Sequence, residues 1–135
     1  MFEISVKSRF SAAHRLTGYK GACSRLHGHN WEVTVRIMGR ELDRIGILVD
    51  FKKVRKTVDR VLSVLDHGEL NKLPVFAKGN PTSENIARCL YEKLSDSLNC
   101  ARYKVSGVVV SETPGSFVSY CEDKDQPIQK NRAGR

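Results

Sequence analysis

Apolar and polar residues alternate in two stretches of the N-terminal third. Phe2, Ile4, Val6, Phe10 and Ala12 mark the first, over residues 2–13. Trp31, Val33, Val35 and Ile37 mark the second, set against Glu32, Thr34 and Arg36. A period of two is that of a strand with one buried face, so two β-strands are expected, the second running from His29 to near Gly39. The segment between them, residues 15–26, holds Gly18, Gly21 and several polar residues and reads as a loop. Residues 40–46 read as a turn, and Ile47-Leu48-Val49 as a short extended piece. Beyond Asp50, a suitable helix N-cap, the period changes. Phe51, Val54, Val58, Val61, Leu62 and Leu65 recur at helical spacing, and the helix is expected to stop near Asp66, His67 and Gly68. A loop with Pro74, Gly79 and Pro81 follows. A second helix then opens at Thr82-Ser83-Glu84-Asn85, with Ile86, Leu90, Leu94 and Leu98 as its apolar face and Asn80, Thr82 or Ser83 as its N-cap. Residues 103–112 are strand-like again, Pro114-Gly115 makes a turn, and Ser116–Cys121 completes a hairpin.

The order ββααββ predicts an α+β domain: a four-stranded antiparallel sheet with two helices on one face. The 135 residues fit one domain, placed at 1–121. Residues 122–135 are polar, lack periodicity, and read as a disordered tail. Such a sheet leaves two edges uncovered, and edges of this length need a partner; an oligomer that extends the sheet is expected. No apolar run is long enough for a membrane span, and Met1-Phe2-Glu3-Ile4 lacks the features of a signal peptide. A cytoplasmic protein is expected, with no membrane partner. Cys23, Cys89, Cys100 and Cys121 show no C-x-x-C spacing and are expected to be reduced thiols, most of them small buried hydrophobes.

The formal net charge of +8 allows a nucleic-acid partner, a small polyanionic substrate, or merely a solvated basic surface. The basic residues are scattered rather than blocked, through Lys20, Arg25, Arg36, Arg40 and Arg44 and then Lys52 to Arg60. No nucleic-acid motif accompanies them, so no nucleic-acid partner is expected.

The candidate chemistry lies in the histidines. Three of the four, His14, His27 and His29, fall between positions 14 and 29. In the H-x-H pair at the start of a strand, residues two apart share a face roughly 7 Å from one another. His14 closes the preceding strand, and strands adjacent in sequence usually pair. Three imidazoles favour zinc among common metals, and three protein ligands leave a fourth position open, as in catalytic sites. H-x-H by itself is equally compatible with unrelated polar residues at strand ends. Convergence of three out of four histidines favours a metal. Cys23 has three readings: a fourth ligand that closes the site, a thiolate beside the metal, or a loop residue without a role. Asp66-His67 is either a carboxylate–imidazole pair with raised basicity or a helix C-terminus interacting with the macrodipole. Glu112, which closes an apolar strand, is either an exposed strand end or a carboxylate able to accept two parallel N–H bonds from an amino-pyrimidinone edge.

Several motifs together resemble the 6-pyruvoyl-tetrahydropterin synthase superfamily. They are Phe10-Ser11-Ala12-Ala13-His14-Arg15-Leu16 and Cys23-Ser24-Arg25-Leu26-His27-Gly28-His29-Asn30-Trp31, followed by Val49-Asp50-Phe51, Leu65-Asp66-His67 with Leu70-Asn71, Pro81-Thr82-Ser83-Glu84-Asn85 and Ser111-Glu112-Thr113. The resemblance covers residues 2–121. It implies the tunnelling fold, in which trimers join sheets into a barrel and pair as a homohexamer, with sites at subunit interfaces. It implies Zn2+ on His14, His27 and His29, and Cys23 as the proton-abstracting base. Asp66 and His67 would form a relay from a neighbouring subunit, and Glu112 the anchor of the pterin ring, with Thr82 and Ser83 adding hydrogen bonds. The superfamily divides by reaction. One branch makes 6-pyruvoyl-tetrahydropterin for biopterin synthesis. A second, in bacterial queuosine synthesis, makes 6-carboxy-5,6,7,8-tetrahydropterin from 7,8-dihydroneopterin triphosphate, releasing acetaldehyde and triphosphate. A third carries Glu where this chain has Cys23 and acts as an aldolase. Arg25-Leu26, Trp31 and Glu112-Thr113-Pro114-Gly115-Ser116 are most similar to the queuosine branch. A non-catalytic zinc module is a remote alternative.

Overall fold

The structure, a computed structural model, describes residues 1–122; the expected tail falls almost wholly outside them. Strand β1, Phe2–His14, pairs antiparallel with β2, His27–Gly39, in unbroken register from Phe2 opposite Gly39 to His14 opposite His27. Helix α1, Phe51–Leu62, and helix α2, Ser83–Leu98, follow. Strand β4, Tyr103–Thr113, then pairs antiparallel with β2 and with β5, Ser116–Tyr120. One further strand corrects the expected count and its purely antiparallel pairing. Gly68–Glu69 forms a two-residue β3 parallel to Ala12–Ala13 of β1, giving a five-stranded sheet in the order β3-β1-β2-β4-β5. No periodicity can reveal two residues, and β3 pairs only because the chain after α1 returns to the edge of β1.

The buried face of the sheet carries Val6, Phe10 and Ala12 of β1, Trp31, Val33, Val35 and Ile37 of β2 and Val105, Val108 and Val110 of β4. These side chains form one core with Val54, Val58 and Leu62 of α1 and Ile86, Leu90 and Leu94 of α2. Helix starts follow the expected chemistry: Asp50 accepts the Lys52 amide at 2.8 Å, and Thr82 Oγ1 accepts the Asn85 amide at 3.1 Å, so Thr82 is the second N-cap. Helix α1 ends at Leu62, earlier than expected, and residues 63–67 form turns. Phe51, expected on its apolar face, is 57% exposed. Residues 47–49 pair with no strand, although Leu48 and Val49 are buried. Gly39 is required by a close approach, because a Cβ there would meet the Arg102 carbonyl oxygen at 2.5 Å. The four cysteines are unpaired. Only Cys89 is buried, and Cys100 and Cys121 are exposed, which corrects the expectation of mostly buried thiols: both exposed ones lie just past an element's end, at α2 and β5.

Candidate functional site

The site is assembled by strand register. His14 and His27 are direct partners across β1 and β2, and His29 lies two residues along β2, opposite Ala12. Even-numbered positions of β1 and odd-numbered positions of β2 face the core, so all three imidazoles emerge on that face at its open end. Their centroids lie 4.7 Å (His14–His27), 4.8 Å (His27–His29) and 5.3 Å (His14–His29) apart, with the rings crossing at steep angles. Trp31 forms the floor, edge-on to His14 and His29 and with its indole N–H donated to the Ala12 carbonyl at 3.3 Å. Gly28, between the two β2 ligands, sits on the opposite face, so its lack of a side chain does not relieve crowding among them.

Tautomers follow from the hydrogen bonds. His14 Nδ1 lies 2.8 Å from the Pro81 carbonyl oxygen and His27 Nδ1 2.7 Å from that of Arg25. A carbonyl can only accept, so each Nδ1 carries the proton and each Nε2 presents a lone pair. Such backbone acceptors are the usual way a metal-binding histidine is oriented. His14 is 2% exposed, and the Nε2 atoms of His14 and His29 are buried without a hydrogen-bond partner. Orphaned buried nitrogens are costly unless something other than a protein side chain satisfies them, and a metal ion would do so. Burial lowers the pKa of His29. The neighbouring Glu112 carboxylate opposes that shift, and the adjacent His14 and His27 reinforce it. The net shift keeps the ring neutral, as a ligand must be.

Glu112 completes the group. The ligand atoms of His14, His27, His29 and Glu112 all lie within 4.8 Å of one another. Glu112 Oε1 is 2.6 Å from His29 Nε2 and 3.5 Å from His14 Nε2. The first contact is close but falls outside hydrogen-bond geometry. Sequence reading gave Glu112 to the ring of a substrate and not to this group. Its alternation with Val108 and Val110 does place it on the histidine face, but only the pairing of β4 with β2 brings its side chain within reach of His29.

The other expected residues surround the group rather than join it. Cys23 lies half-buried in a single 3-10 turn, Ala22–Ser24, and its carbonyl accepts the Leu16 amide at 2.9 Å. It is outside the four-residue group, so a closed site with Cys23 as fourth ligand is not assembled. Asp66 and His67 do bond each other, Oδ2 to Nδ1 at 2.8 Å. His67 adopts a left-handed φ of 57°, which turns the chain so that both residues dock on the edge of β1. The Ser11 amide donates to Asp66 at 2.9 Å, and the His67 amide donates to the Ser11 carbonyl at 2.6 Å. The Ser11 amide, ahead of the His67 contact, holds the Asp66 carboxyl below its ordinary pKa. His67 is 82% exposed and not part of the group within one chain. Thr82 and Ser83 follow Pro81, whose carbonyl orients His14. The Thr82 oxygen caps α2, leaving its hydroxyl proton free to donate.

Two asparagines were not singled out as site residues. Asn71 accepts the Arg15 amide and donates to the Arg15 carbonyl, and Asn80 treats Thr17 in the same way, all at 2.8–2.9 Å. Each amide replaces a missing strand partner for the chain leaving His14. Asn71 stands in the Leu70-Asn71 motif, but nothing local reveals its partner, which lies 56 residues away.

The model of the family described as 6-pyruvoyl tetrahydropterin synthase matches residues 3–123. The chain belongs to that family. Among its relatives is the 6-carboxy-5,6,7,8-tetrahydropterin synthase of Bacillus subtilis, 35% identical over 88% of this chain and 84% of the relative. The dihydroneopterin monophosphate aldolase of Pyrococcus furiosus is 37% identical over 70% of this chain and 76% of its own. In structure the chain resembles the 6-pyruvoyl tetrahydropterin synthase of Caenorhabditis elegans, with a TM-score of 0.80 and 30% identity over 90% of this chain and 96% of that one. The tunnelling-fold architecture is thereby established, and the chain is an enzyme of the lyase type like its synthase relatives. No helix among the described residues is long and apolar enough to cross a membrane.

Proposed function

We propose that this enzyme binds zinc through His14, His27 and His29 and converts 7,8-dihydroneopterin triphosphate and water to 6-carboxy-5,6,7,8-tetrahydropterin, acetaldehyde and triphosphate, the step required in queuosine synthesis. The observation that carries the proposal is the convergence of three imidazoles, with the Nε2 atoms of His14 and His29 buried and without a hydrogen-bond partner, beside a carboxylate on the same strand face. Zinc supplies a Lewis acid that acidifies side-chain hydroxyls and the neighbouring carbon. Cys23, held by its turn above the end of β1, takes the carbon-bound proton as thiolate. His67, with its Nδ1 proton donated to Asp66, has Nε2 free to accept and return a proton. Its exposure suits service to a neighbouring subunit's site. Glu112 accepts the paired N–H groups of the pterin ring, and Thr82 and Ser83 add hydroxyl bonds.

The β1 edge, paired with β3 only at Ala12 and Ala13, and the outer edge of β5 suit a trimer that closes the sheets into a barrel, two trimers forming a homohexamer. The exposed Phe2, Ile45 and Phe51 suit burial in such an assembly, working in the cytoplasm. Cys23, where the aldolase-like branch has Glu, disfavours the aldolase reaction. The second reading is 6-pyruvoyl-tetrahydropterin synthesis, supported by the similarity to the Caenorhabditis elegans enzyme. Incubation with 7,8-dihydroneopterin triphosphate and product identification decides between them. Acetaldehyde with the carboxylated pterin is expected, whereas a pyruvoyl pterin without acetaldehyde would move the enzyme to the sister reaction.

A further inference from the structure

Glu112 is asked to serve two partners. The reading above gives its carboxylate to the pterin ring, yet it stands against the histidine nitrogens, 2.6 Å and 3.5 Å from the Nε2 atoms of His29 and His14. Three histidines leave the fourth position of a tetrahedral zinc open, and a carboxylate oxygen is an ordinary zinc ligand. The backbone at Glu112 is built to allow a second position. Pairing of β2 with β4 ends at Glu32 opposite Ser111, and pairing of β4 with β5 passes from Ser111 opposite Phe117 to Thr113 opposite Ser116. Neither ladder gives Glu112 a partner. Bulges of this kind re-aim side chains beside active sites. The Ser111 hydroxyl instead spans the bulge to the carbonyls of Thr113 and Ser116, which fixes the residues on either side and leaves Glu112 itself free. Its side chain is 30% exposed, open to an arriving ring on one side and to the histidines on the other. A carboxylate that accepts two parallel N–H bonds from a ring edge commits one lone pair of each oxygen to that plane and fixes its orientation on the ring, which weakens what it can offer the metal.

We propose that Glu112 is the fourth metal ligand while the site holds no substrate, and that it leaves the metal to grip the pterin ring, so that recognition of the ring opens the metal's fourth position. The proposal rests on the metal and ring-anchoring roles given above. Linkage makes it quantitative: if ring binding removes a ligand, it weakens the metal by some factor, and the metal weakens ring binding by the same factor.

The test uses Co2+ as the probe, bound to the chelator-stripped full chain without substrate, with affinity and the d–d absorption spectrum as readouts. E112Q and E112A are expected to bind Co2+ more weakly by at least the roughly 10–100-fold that loss of an outer-shell partner costs, and with altered spectra. A pterin lacking the phosphorylated side chain is expected to shift the wild-type spectrum toward that of the variants, and to bind the metal-free protein more tightly than the loaded one. The wild-type measurement needs no substitution and stands even if a variant misfolds. Unchanged affinity and spectrum in both variants, or a wild-type spectrum indifferent to bound pterin, would overturn the proposal while leaving the three-histidine site intact. Failure of the wild-type protein to bind Co2+ at all would remove the metal site itself, and the proposal with it.

Discussion

His14 and His27 face each other across the same strand pair, yet their replacement by alanine should have different consequences. His14 is 2% exposed. Its ring packs against His27, His29 and Trp31, and its Nδ1 proton bonds a carbonyl 67 residues away. Removing it leaves a cavity and an unpaired Pro81 carbonyl. A buried acceptor left unsatisfied costs about 1–3 kcal/mol, and the cavity adds to that; the metal-free protein should lose about 2–4 kcal/mol. His27 is only half-buried, and its Nδ1 bonds a carbonyl two residues away in the same loop. His27→Ala should cost under about 1 kcal/mol without metal. With zinc both variants fall further behind the wild type by the same amount. A ligand at a hundredfold excess over its Kd stabilises the wild type by about 2.7 kcal/mol, and both variants should forfeit that gain. Denaturant unfolding with chelator and with excess zinc, at one protein concentration because the enzyme is expected to be oligomeric, measures all four quantities. Equal destabilisation of the two variants in chelator would refute the structural role given to His14. A wild type indifferent to zinc would refute the metal site.

Two further outcomes follow from the surrounding residues. Cys23→Ala should retain metal and pterin binding while turnover drops by roughly 10²–10⁴-fold, the worth of one positioned acid–base group; full turnover in that variant would sink the assignment of the base, and loss of metal would point to a ligand. Asp66 has a folded-state pKa held below its ordinary value, so below about pH 4 the unfolded chain takes up a proton sooner than the folded one. Its stabilising contribution is therefore complete above its ordinary pKa and disappears as pH falls through the depressed one. Stability curves of wild type and Asp66→Asn should differ at neutral pH and converge in acid, and a constant gap down to low pH would contradict the Ser11 bond as the cause.

Much of the architecture was legible because the signals are local. Alternation fixed β1 and β2, spacing fixed α1 and α2, and Asp50 was readable as a cap because the capping bond spans only two residues, whereas Thr82 was one of three candidates until the structure chose it. The convergence of His14, His27 and His29 was inferable because a two-residue period places H-x-H on one face and a short connection pairs the strands. Strand β3 was not legible, since two residues have no period, nor were the clamps of Asn71 and Asn80, whose partners lie 56 and 63 residues away. The buried cysteines were overestimated because composition carries no information on where an element ends.

The sequence by itself determined the element order, the face on which the histidines stand and the family. Tertiary structure decided which fourth side chain joins their group. Cys23 is nearer in sequence to His27, but its 3-10 turn places it outside the group, whereas Glu112 enters from 83 residues beyond His29 because β4 is hydrogen-bonded to β2 in one register. Ligand sets are chosen by which strands pair and how their pleats align, and such long-range pairing depends on the whole core beneath it rather than on any segment read alone.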